Sequence, residues 1–137
     1  MEIIYTTKVT AKGGRKGHIE SADGALKVDV FPPGTKENSL NPETLFGAGY
    51  AACFGSALES VMRAEGQKEI TNTITAEVSL GKSEGAYQLA VTLFIEVPGM
   101  EHSKVLDFAA KAHEKCPYSR ATRNNIEVKL EVVEPRG

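Results

Sequence analysis

Alternating apolar and polar residues predict β-strands over much of the 137-residue chain. Residues 1–10 favour a first strand, because β-branched and aromatic side chains are concentrated there. Two short strands are predicted at 17–21 and 25–31, joined by the hairpin signal Asp23-Gly24. The amino-terminal part of the chain is therefore predicted to consist of three strands linked by turns.

The second half of the chain contains three further alternating segments. The apolar face of the first comprises Ile70, Ile74, Ala76, Val78 and Leu80, and that of the second comprises Tyr87, Leu89, Val91, Leu93, Ile95 and Val97. The apolar face of the third comprises Ile126, Val128, Leu130 and Val132. Residues 81–85 are predicted to form the hairpin turn between the first two. Each of these strands is expected to bury one face.

A first helix is predicted to begin at Asn41 and to end at about Ala64. Asn41 is a favoured N-cap residue, and Pro42 suits the first helical position. Glu43 places an acid in the first turn, where it complements the helix dipole. Gly66 is a typical residue to follow a helix end.

A second helix is predicted near Ser103, which can serve as its cap. Its apolar stripe comprises Val105, Ala109, Ala112 and Cys116. Pro117 disfavours helical geometry at the residue before it, so the helix is expected to end at Cys116.

The predicted order of elements is therefore β-β-β-α-β-β-α-β. Hairpin-linked strands and two helices indicate an α+β fold, with largely antiparallel sheets packed on two core helices. A chain of 137 residues can bury a sizeable core without disulfide bonds, so we expect a single domain over residues 1–137.

Charge and hydropathy exclude several partners. A net charge of −2 gives no electrostatic basis for binding nucleic acid or an anionic membrane surface. Glu59 and Arg63 interrupt the longest apolar run, which leaves no segment of the roughly 18 residues that a membrane span needs. The amino terminus has no basic region typical of a secretory signal. We therefore expect a cytoplasmic protein, in which cysteines are more often catalytic, metal-binding or redox-active than structural.

Cys53 and Cys116 are the only two cysteines of the chain. Residues 45–54 carry no charge, which predicts a central helix covered by the rest of the domain or by a partner subunit. A lone cysteine on such a helix is usually an inert core residue. A second core-facing cysteine instead favours a pair in which one thiol attacks and the other resolves. Apolar surroundings raise the pKa of a thiol, so a reactive Cys53 needs a nearby cation.

Arg15 is the candidate for that cation. It lies among Gly13, Gly14 and Gly17, which allow its backbone to approach closely or to move. Glu43 can hold the guanidinium group in a bidentate pair and so direct it. The alternatives are a solvated loop charge for Arg15 and a dipole-complementing acid for Glu43.

Other kinds of chemistry have less support. His113 and Cys116 form an HxxC pair without a second cluster at zinc spacing. His18 and His102 are isolated in sequence and are expected on the surface. No phosphate loop, dinucleotide fingerprint or Ser-His-Asp arrangement is present. The residues therefore favour thiol redox chemistry.

Three segments of the chain resemble one known family. Residues 12–15 (KGGR), 41–54 (NPETLFGAGYAACF) and 113–126 (HEKCPYSRATRNNI) resemble the organic hydroperoxide resistance proteins of the OsmC-like group. The likeness covers essentially the whole chain. Tyr118 and the Arg15 loop favour this branch over its OsmC sister. The chain lacks the glycine-rich insertion that many relatives carry before the Asn-Pro-Glu motif.

The resemblance implies a thiol peroxidase that reduces organic and fatty-acid hydroperoxides to alcohols, without haem, flavin or metal. It implies that Cys53 is the peroxidatic and Cys116 the resolving cysteine, with a disulfide forming between them. It also implies that Arg15 activates the thiolate and that Glu43 orients Arg15. Members of the family are similar in forming intertwined homodimers, with the active site at the interface. The implied reductant is a lipoyl-type dithiol, either a lipoylated protein or dihydrolipoamide.

The positions of Glu43 and Cys53 leave two arrangements open. Ten residues span about 15 Å along a continuous helix, farther than one arginine side chain can bridge. Either the helix begins later than Pro42, or Arg15 and Glu43 serve Cys53 of the other subunit. Three rival functions are an OsmC-type peroxidase, a redox sensor without turnover and a lipid-binding module.

Overall fold

The computed structural model describes residues 1–68 and 70–134. These residues form two compact units, Met1–Leu45 and Phe46–Gly137. Among the helices of the described residues, none is both long and apolar enough to cross a bilayer. The single domain expected over residues 1–137 stays a prediction.

The first unit contains a three-stranded antiparallel sheet. Its strands are β1 (Val9–Lys12), β2 (His18–Ser21) and β3 (Lys27–Asp29), in that spatial order. A 3₁₀ turn, Gly14–Lys16, connects β1 to β2 and carries Arg15. The two predicted hairpin strands are therefore confirmed, although the second is shorter than residues 25–31.

The strand predicted over residues 1–10 is wrong for residues 1–8. Pairing begins only at Val9, which lies opposite Ser21 of β2. Ile3 and Ile4 form no strand and are 64% and 92% exposed. High β-propensity does not form a strand by itself, because backbone groups of a strand need a neighbouring strand to bond.

Helix α1 spans Pro42–Ala64, as predicted. The Asn41 side-chain oxygen accepts a hydrogen bond from the Thr44 N–H at 2.8 Å, which confirms Asn41 as the cap. Gly66 follows the helix with a left-handed φ of 81°. A helix start later than Pro42 is therefore wrong.

The second unit contains the larger sheet, formed by β4 (Thr73–Ser83), β5 (Ala86–Glu96) and β6 (Val128–Val132). Strands β4 and β5 are antiparallel, whereas β6 runs parallel to β5. The parallel pair arises because the chain between β5 and β6 crosses over through helices instead of a tight turn.

The turn predicted over residues 81–85 is tighter in the structure. Ser83 pairs with Ala86, so only Glu84 and Gly85 form the turn. Both have positive φ, 50° and 81°, as a two-residue hairpin loop requires. Residues 81–83 continue the strand.

Helix α2 spans His102–Lys115, and the short helix α3 spans Pro117–Thr122. The predicted cap at Ser103 is wrong, because the helix already begins at His102. Ser103 lies inside the first turn, and its hydroxyl donates to the Glu101 carboxylate at 2.9 Å. The N-cap position is Glu101, which makes no side-chain capping bond.

The core of the second unit lies between α1, β5 and α2. Its fully buried side chains include Tyr50, Phe54, Leu58, Met62, Leu93, Ile95, Val105, Ala109, Ala112 and Cys116. Truncating a buried phenylalanine such as Phe54 to alanine typically costs about 3–5 kcal/mol of stability. The arrangement confirms the α+β fold, with the larger sheet packed on two core helices.

Candidate active site

The two cysteine sulfur atoms lie 3.5 Å apart. Cys53 is half-buried on α1, and Cys116 is fully buried beyond the end of α2. Both are free thiols. A disulfide has a sulfur–sulfur length of about 2.05 Å, so an approach of about 1.5 Å is enough to join them. The structure thus brings together the two cysteines that are 63 residues apart in sequence.

Cys116 is held at the junction of two helices. Its backbone is extended (φ −60°, ψ 122°), because Pro117 excludes helical geometry at the preceding residue. The Cys116 N–H donates to the Ala112 carbonyl at 2.8 Å, and the Cys116 carbonyl accepts from the Arg120 N–H at 2.9 Å. Cys116 therefore ends α2, as predicted, and begins α3. Alternation and helical periodicity did not predict α3, because its six residues are too few for either signal.

Two opposing effects act on the Cys53 thiol. Burial is the larger one and raises the pKa of Cys53, and the neighbouring Cys116 raises it further. The Tyr118 backbone N–H donates to the Cys53 sulfur and opposes the increase, but the pKa remains above its usual value. Cys53 needs a further positive charge to be a thiolate at neutral pH.

Three aromatic rings pack together close to the dithiol. The ring of Phe46 meets that of Tyr50 edge-on at a centroid distance of 5.9 Å, and Tyr118 lies 5.7 Å from Tyr50 and 6.1 Å from Phe46. Tyr118 also lies across Gly49, which leaves no room for a side chain at that position. The absence of a side chain at Gly49 therefore allows Tyr118 to approach the backbone of α1.

Four polar side chains form a buried network that the sequence reasoning missed. The Tyr50 hydroxyl contacts Ser119 Oγ at 2.7 Å and Thr122 Oγ1 at 3.2 Å. His113 Nδ1 contacts the same Ser119 oxygen at 2.7 Å. Ser119 and Thr122 are buried, 0% and 4% exposed. The sequence contained one signal for this network. Each cysteine has a hydroxyl-bearing residue three positions away, about one helical turn: Tyr50 before Cys53 and Ser119 after Cys116.

A cavity of about 450 Å³ reaches Cys53. It is lined by Cys53, Ser56, Ala57, Ser60, Lys115 and Pro117. The cavity is open to solvent on the side of α1 where Ser56 and Ser60 are exposed. A small molecule can therefore reach the Cys53 sulfur without unfolding of the second unit.

Arg15 and Glu43 form a bidentate ion pair in the first unit. The two guanidinium nitrogens donate to the two carboxylate oxygens at 3.0 and 2.6 Å. The Arg15 hydrogen bonds lower the pKa of Glu43, so the carboxylate stays ionised in mildly acidic conditions. A side chain at Gly17 would collide with the Lys12 carbonyl, so only glycine permits this loop to close.

His18 has two carboxylate neighbours that are not evident from the sequence. Its ring nitrogens contact Asp29 at 2.8 Å and Glu20 at 3.2 Å, because antiparallel pairing places Asp29 directly opposite His18. His102 is exposed, as expected. Within residues 1–68 and 70–134, no group of three His, Cys, Asp or Glu side chains is arranged to hold a metal ion.

Comparison with known proteins identifies the relatives of this chain. The family model described as OsmC-like protein matches residues 34–131. The organic hydroperoxide resistance protein OhrB of Bacillus subtilis (strain 168) is 48% identical, over 94% of this chain and 98% of that protein. The organic hydroperoxide resistance protein of Xanthomonas axonopodis pv. citri (strain 306) is 40% identical, over 94% of both chains.

Solved structures agree with the sequence matches. The crystal structure of OhrB of Bacillus subtilis superimposes with a TM-score of 0.89 at 45% identity, covering 94% of this chain and 98% of that one. An organic hydroperoxide resistance protein from Elizabethkingia anophelis gives a TM-score of 0.91 at 44% identity, covering 98% and 100%. The chain therefore belongs to the OsmC-like family and, within it, to the organic hydroperoxide resistance proteins.

Proposed function

We propose that this chain is a cysteine-based peroxidase that reduces organic hydroperoxides to alcohols. The observation that carries the proposal is the 3.5 Å separation of the Cys53 and Cys116 sulfur atoms, with Cys53 open to a cavity. The names of the relatives give the substrate class, since they are called organic hydroperoxide resistance proteins.

The proposed reaction has three steps. The Cys53 thiolate attacks the terminal peroxide oxygen, the oxygen–oxygen bond breaks, and the alkoxide leaves as an alcohol after taking up a proton. Cys53 is then a sulfenic acid. The Cys116 sulfur attacks Cys53, a disulfide forms, and the hydroxyl group leaves as water with the Cys116 proton. A lipoyl-type dithiol reopens the disulfide by two exchange steps and becomes a cyclic disulfide itself. The compartment that we propose is the cytoplasm, where thiols are kept reduced.

The cation that activates Cys53 is proposed to be Arg15, oriented by Glu43. Because α1 is continuous from Pro42, Glu43 and Cys53 are ten residues apart on one helix, or about 15 Å. This distance supports a homodimer in which Arg15 and Glu43 of one subunit serve Cys53 of the other.

Exposed apolar surface also supports a homodimer. Ile3, Ile4 and Tyr5 are 64%, 92% and 77% exposed in the isolated chain, and Ala48 and Ala52 of α1 are exposed too. Large apolar side chains exposed in one stretch of chain, as Ile3, Ile4 and Tyr5 are, are typical of an interface. Light scattering after size exclusion should therefore give a mass twice that of the chain.

Sharing of the site can be tested by mixing two inactive variants. A Cys53→Ser chain retains Arg15, and an Arg15→Ala chain retains Cys53. If the site is shared, their heterodimers contain one complete site and should recover part of the activity. Absence of recovery in verified heterodimers would refute sharing across the interface.

A steady-state assay with dihydrolipoamide tests the proposed function itself. We expect faster turnover of cumene hydroperoxide than of hydrogen peroxide, because burial of apolar surface contributes roughly 25 cal/mol per Å². Cys53→Ser should have no activity. A preference for hydrogen peroxide would favour an OsmC-type peroxidase. Oxidation of one equivalent without turnover would indicate a sensor, and no thiol loss at all would indicate a binding module.

A further inference from the structure

Ser119 connects the two helices that carry the dithiol. Its hydroxyl contacts Tyr50 of α1 and His113 of α2, both at 2.7 Å. Tyr50 precedes Cys53 by three residues, and Ser119 follows Cys116 by three. The Tyr50–Ser119 bond therefore lies one helical turn from the Cys53–Cys116 contact and links the same two segments.

The hydrogen bonds of this network have a defined direction. Thr122 Oγ1 donates its single proton to the Ser119 carbonyl at 3.1 Å, because a carbonyl only accepts. Tyr50 must then donate in its contact with Thr122. Ser119 in turn donates to Tyr50, which leaves His113 Nδ1–H to donate to Ser119. When all four bonds are made together, neutral His113 therefore carries its proton on Nδ1.

The Ser119 carbonyl accepts both the Thr122 hydroxyl and the Arg123 backbone N–H, so the Thr122 proton keeps a partner within α3. Every buried side-chain nitrogen and oxygen of the described residues has a hydrogen-bond partner, so the network is fully satisfied. Fully satisfied buried networks hold one arrangement rigidly, whereas losing a member leaves another group unpaired. The segment that this network holds begins at Cys116, and the Tyr118 N–H within it bonds to Cys53.

We infer that Ser119, held by Tyr50 and His113, is a positioning residue for the disulfide-forming step. This inference rests on the proposed peroxidase function and assigns a role to residues outside the reacting atoms. The network fixes the spacing of α1 and α3 so that Cys116 reaches the Cys53 sulfenic acid quickly. Without it, Cys53 stays longer as a sulfenic acid and meets a second peroxide, which oxidises it to a sulfinic acid and is itself reduced to an alcohol.

A single-turnover experiment separates this role from peroxide attack. Reduced protein is mixed with increasing cumene hydroperoxide and quenched with a sulfenate trap and a thiol-blocking reagent, and products are counted by mass spectrometry. For Ser119→Ala and Tyr50→Phe we expect an unchanged rate of thiol loss. The ratio of sulfinic acid to disulfide should rise about tenfold, as loss of one buried hydrogen bond allows.

The control is Ser103→Ala, which removes an exposed hydroxyl bonded only to Glu101 in the described residues. Its product ratio should equal that of the unmodified protein. The ratio is counted among molecules that have reacted, so partial unfolding of a variant does not alter it. An unchanged ratio in Ser119→Ala would overturn the inference. If the unmodified protein forms neither sulfenic acid nor disulfide, the proposed function itself has failed.

Asparagine and aspartate have nearly the same size but differ in hydrogen-bond donors, so the two substitutions at His113 test whether it donates to Ser119. His113→Asn keeps an N–H group near the position of Nδ1, whereas His113→Asp can only accept at neutral pH. We expect the product ratio of His113→Asn to stay within about twofold of the unmodified protein, and that of His113→Asp to match Ser119→Ala. Any other order of these ratios rejects His113 as the donor to Ser119.

Discussion

The phenol ring of Tyr118 lies directly over Gly49, where a methyl group would come within 2.5 Å of the hydroxyl oxygen. Gly49 is therefore required by the position of Tyr118 and not by its own backbone conformation. Because the backbone N–H of Tyr118 also donates to Cys53, the small residue on α1 sets how closely α3 approaches Cys53.

Replacing Gly49 and Tyr118 by alanine, separately and together, should show that the effects of the two substitutions on stability depend on each other. In a Tyr118→Ala background, Gly49→Ala should stabilise the protein by up to about 1 kcal/mol, because alanine has a higher helix propensity than glycine. With Tyr118 present, the gain should be absent or reversed. Urea unfolding of the four proteins measures the coupling energy. Equal effects of Gly49→Ala in both backgrounds would show that the two residues are independent.

Cys116→Ser should permit one reduction event and then inactivate the protein. The serine hydroxyl cannot form a disulfide, so Cys53 remains a sulfenic acid and is oxidised further by excess peroxide. Successive peroxide additions followed by mass measurement should show sulfinic acid at Cys53. Normal turnover of this variant with dithiols would mean that Cys116 is not the resolving cysteine.

Glu43→Gln should weaken both the Arg15 pair and its dependence on pH. Glutamine loses the charge and one acceptor oxygen, so Arg15 is less well held, and we expect peroxide attack to slow by about tenfold. Arg15→Ala should slow it at least as much. The second-order rate of Cys53 thiol loss measures both effects. An unchanged rate in Arg15→Ala would mean that another cation activates Cys53.

The same pair should contribute to stability in a defined pH range. The Arg15 hydrogen bonds lower the pKa of Glu43 in the folded protein. The ion pair therefore contributes fully to the free energy of unfolding above the pKa that Glu43 has in the unfolded chain, about 4.3. This contribution is lost as the pH falls through the lower pKa of Glu43 in the folded protein. Urea midpoints measured down to acidic pH should fall less steeply for Glu43→Gln. If the urea midpoints of Glu43→Gln and the unmodified protein fell equally with pH, the ion pair would not contribute to stability in this range.

Two histidines should change stability in opposite directions on acidification. Burial, and then Arg123, lowers the pKa of His113, whereas hydrogen bonds to Asp29 and then Glu20 raise the pKa of His18. As pH falls below about 6.5, the unfolded chain protonates at position 113 before the folded protein does, which reduces stability. His18 acts with the opposite sign, since its contribution is present below about 6.5 and is lost as pH rises through its raised folded value.

Urea unfolding at about pH 5.5 and about pH 8 measures both effects. His113→Asn removes the titration and should reduce the loss of stability at the lower pH. His18→Asn should increase that loss. Each variant serves as the control for the other, and the same shift in both would contradict the assigned directions.

The turn between β4 and β5 should tolerate a stabilising change. Glu84 has a φ of 50°, a conformation that asparagine adopts more readily than glutamate, particularly before glycine in a two-residue hairpin. Glu84→Asn should therefore stabilise the protein by about 0.5 kcal/mol or more. The control is Lys82→Asn, which lies inside β4 and should not stabilise the protein. A loss of thermal stability in Glu84→Asn would contradict the turn geometry.

Local chemistry determined much of this fold directly from the sequence. Asn41 and Pro42 define the start of α1, because capping and a fixed φ act within one turn of helix. Pro117 ends α2 at Cys116 for a similar reason. Alternation in β4, β5 and β6 predicts which face of each strand is apolar, since the period of a strand depends only on its backbone. The prediction that this face is buried is wrong next to the β4–β5 turn, where Leu80 and Tyr87 are 40% and 72% exposed.

Tertiary structure alone decided where these elements meet. Residues 1–8 have strand propensity but are not paired as a strand in the described chain, where only the Lys8 carbonyl continues the bonding of β1 by accepting the Ala22 N–H. The 3.5 Å contact of Cys53 with Cys116 depends on how α1 packs against the α2–α3 junction, and no local rule encodes that distance. The Ser119 network has the same origin, because its members come from three helices and satisfy one another only after packing. Propensity acts over a few residues, whereas the chemistry of this site depends on contacts between segments distant in sequence.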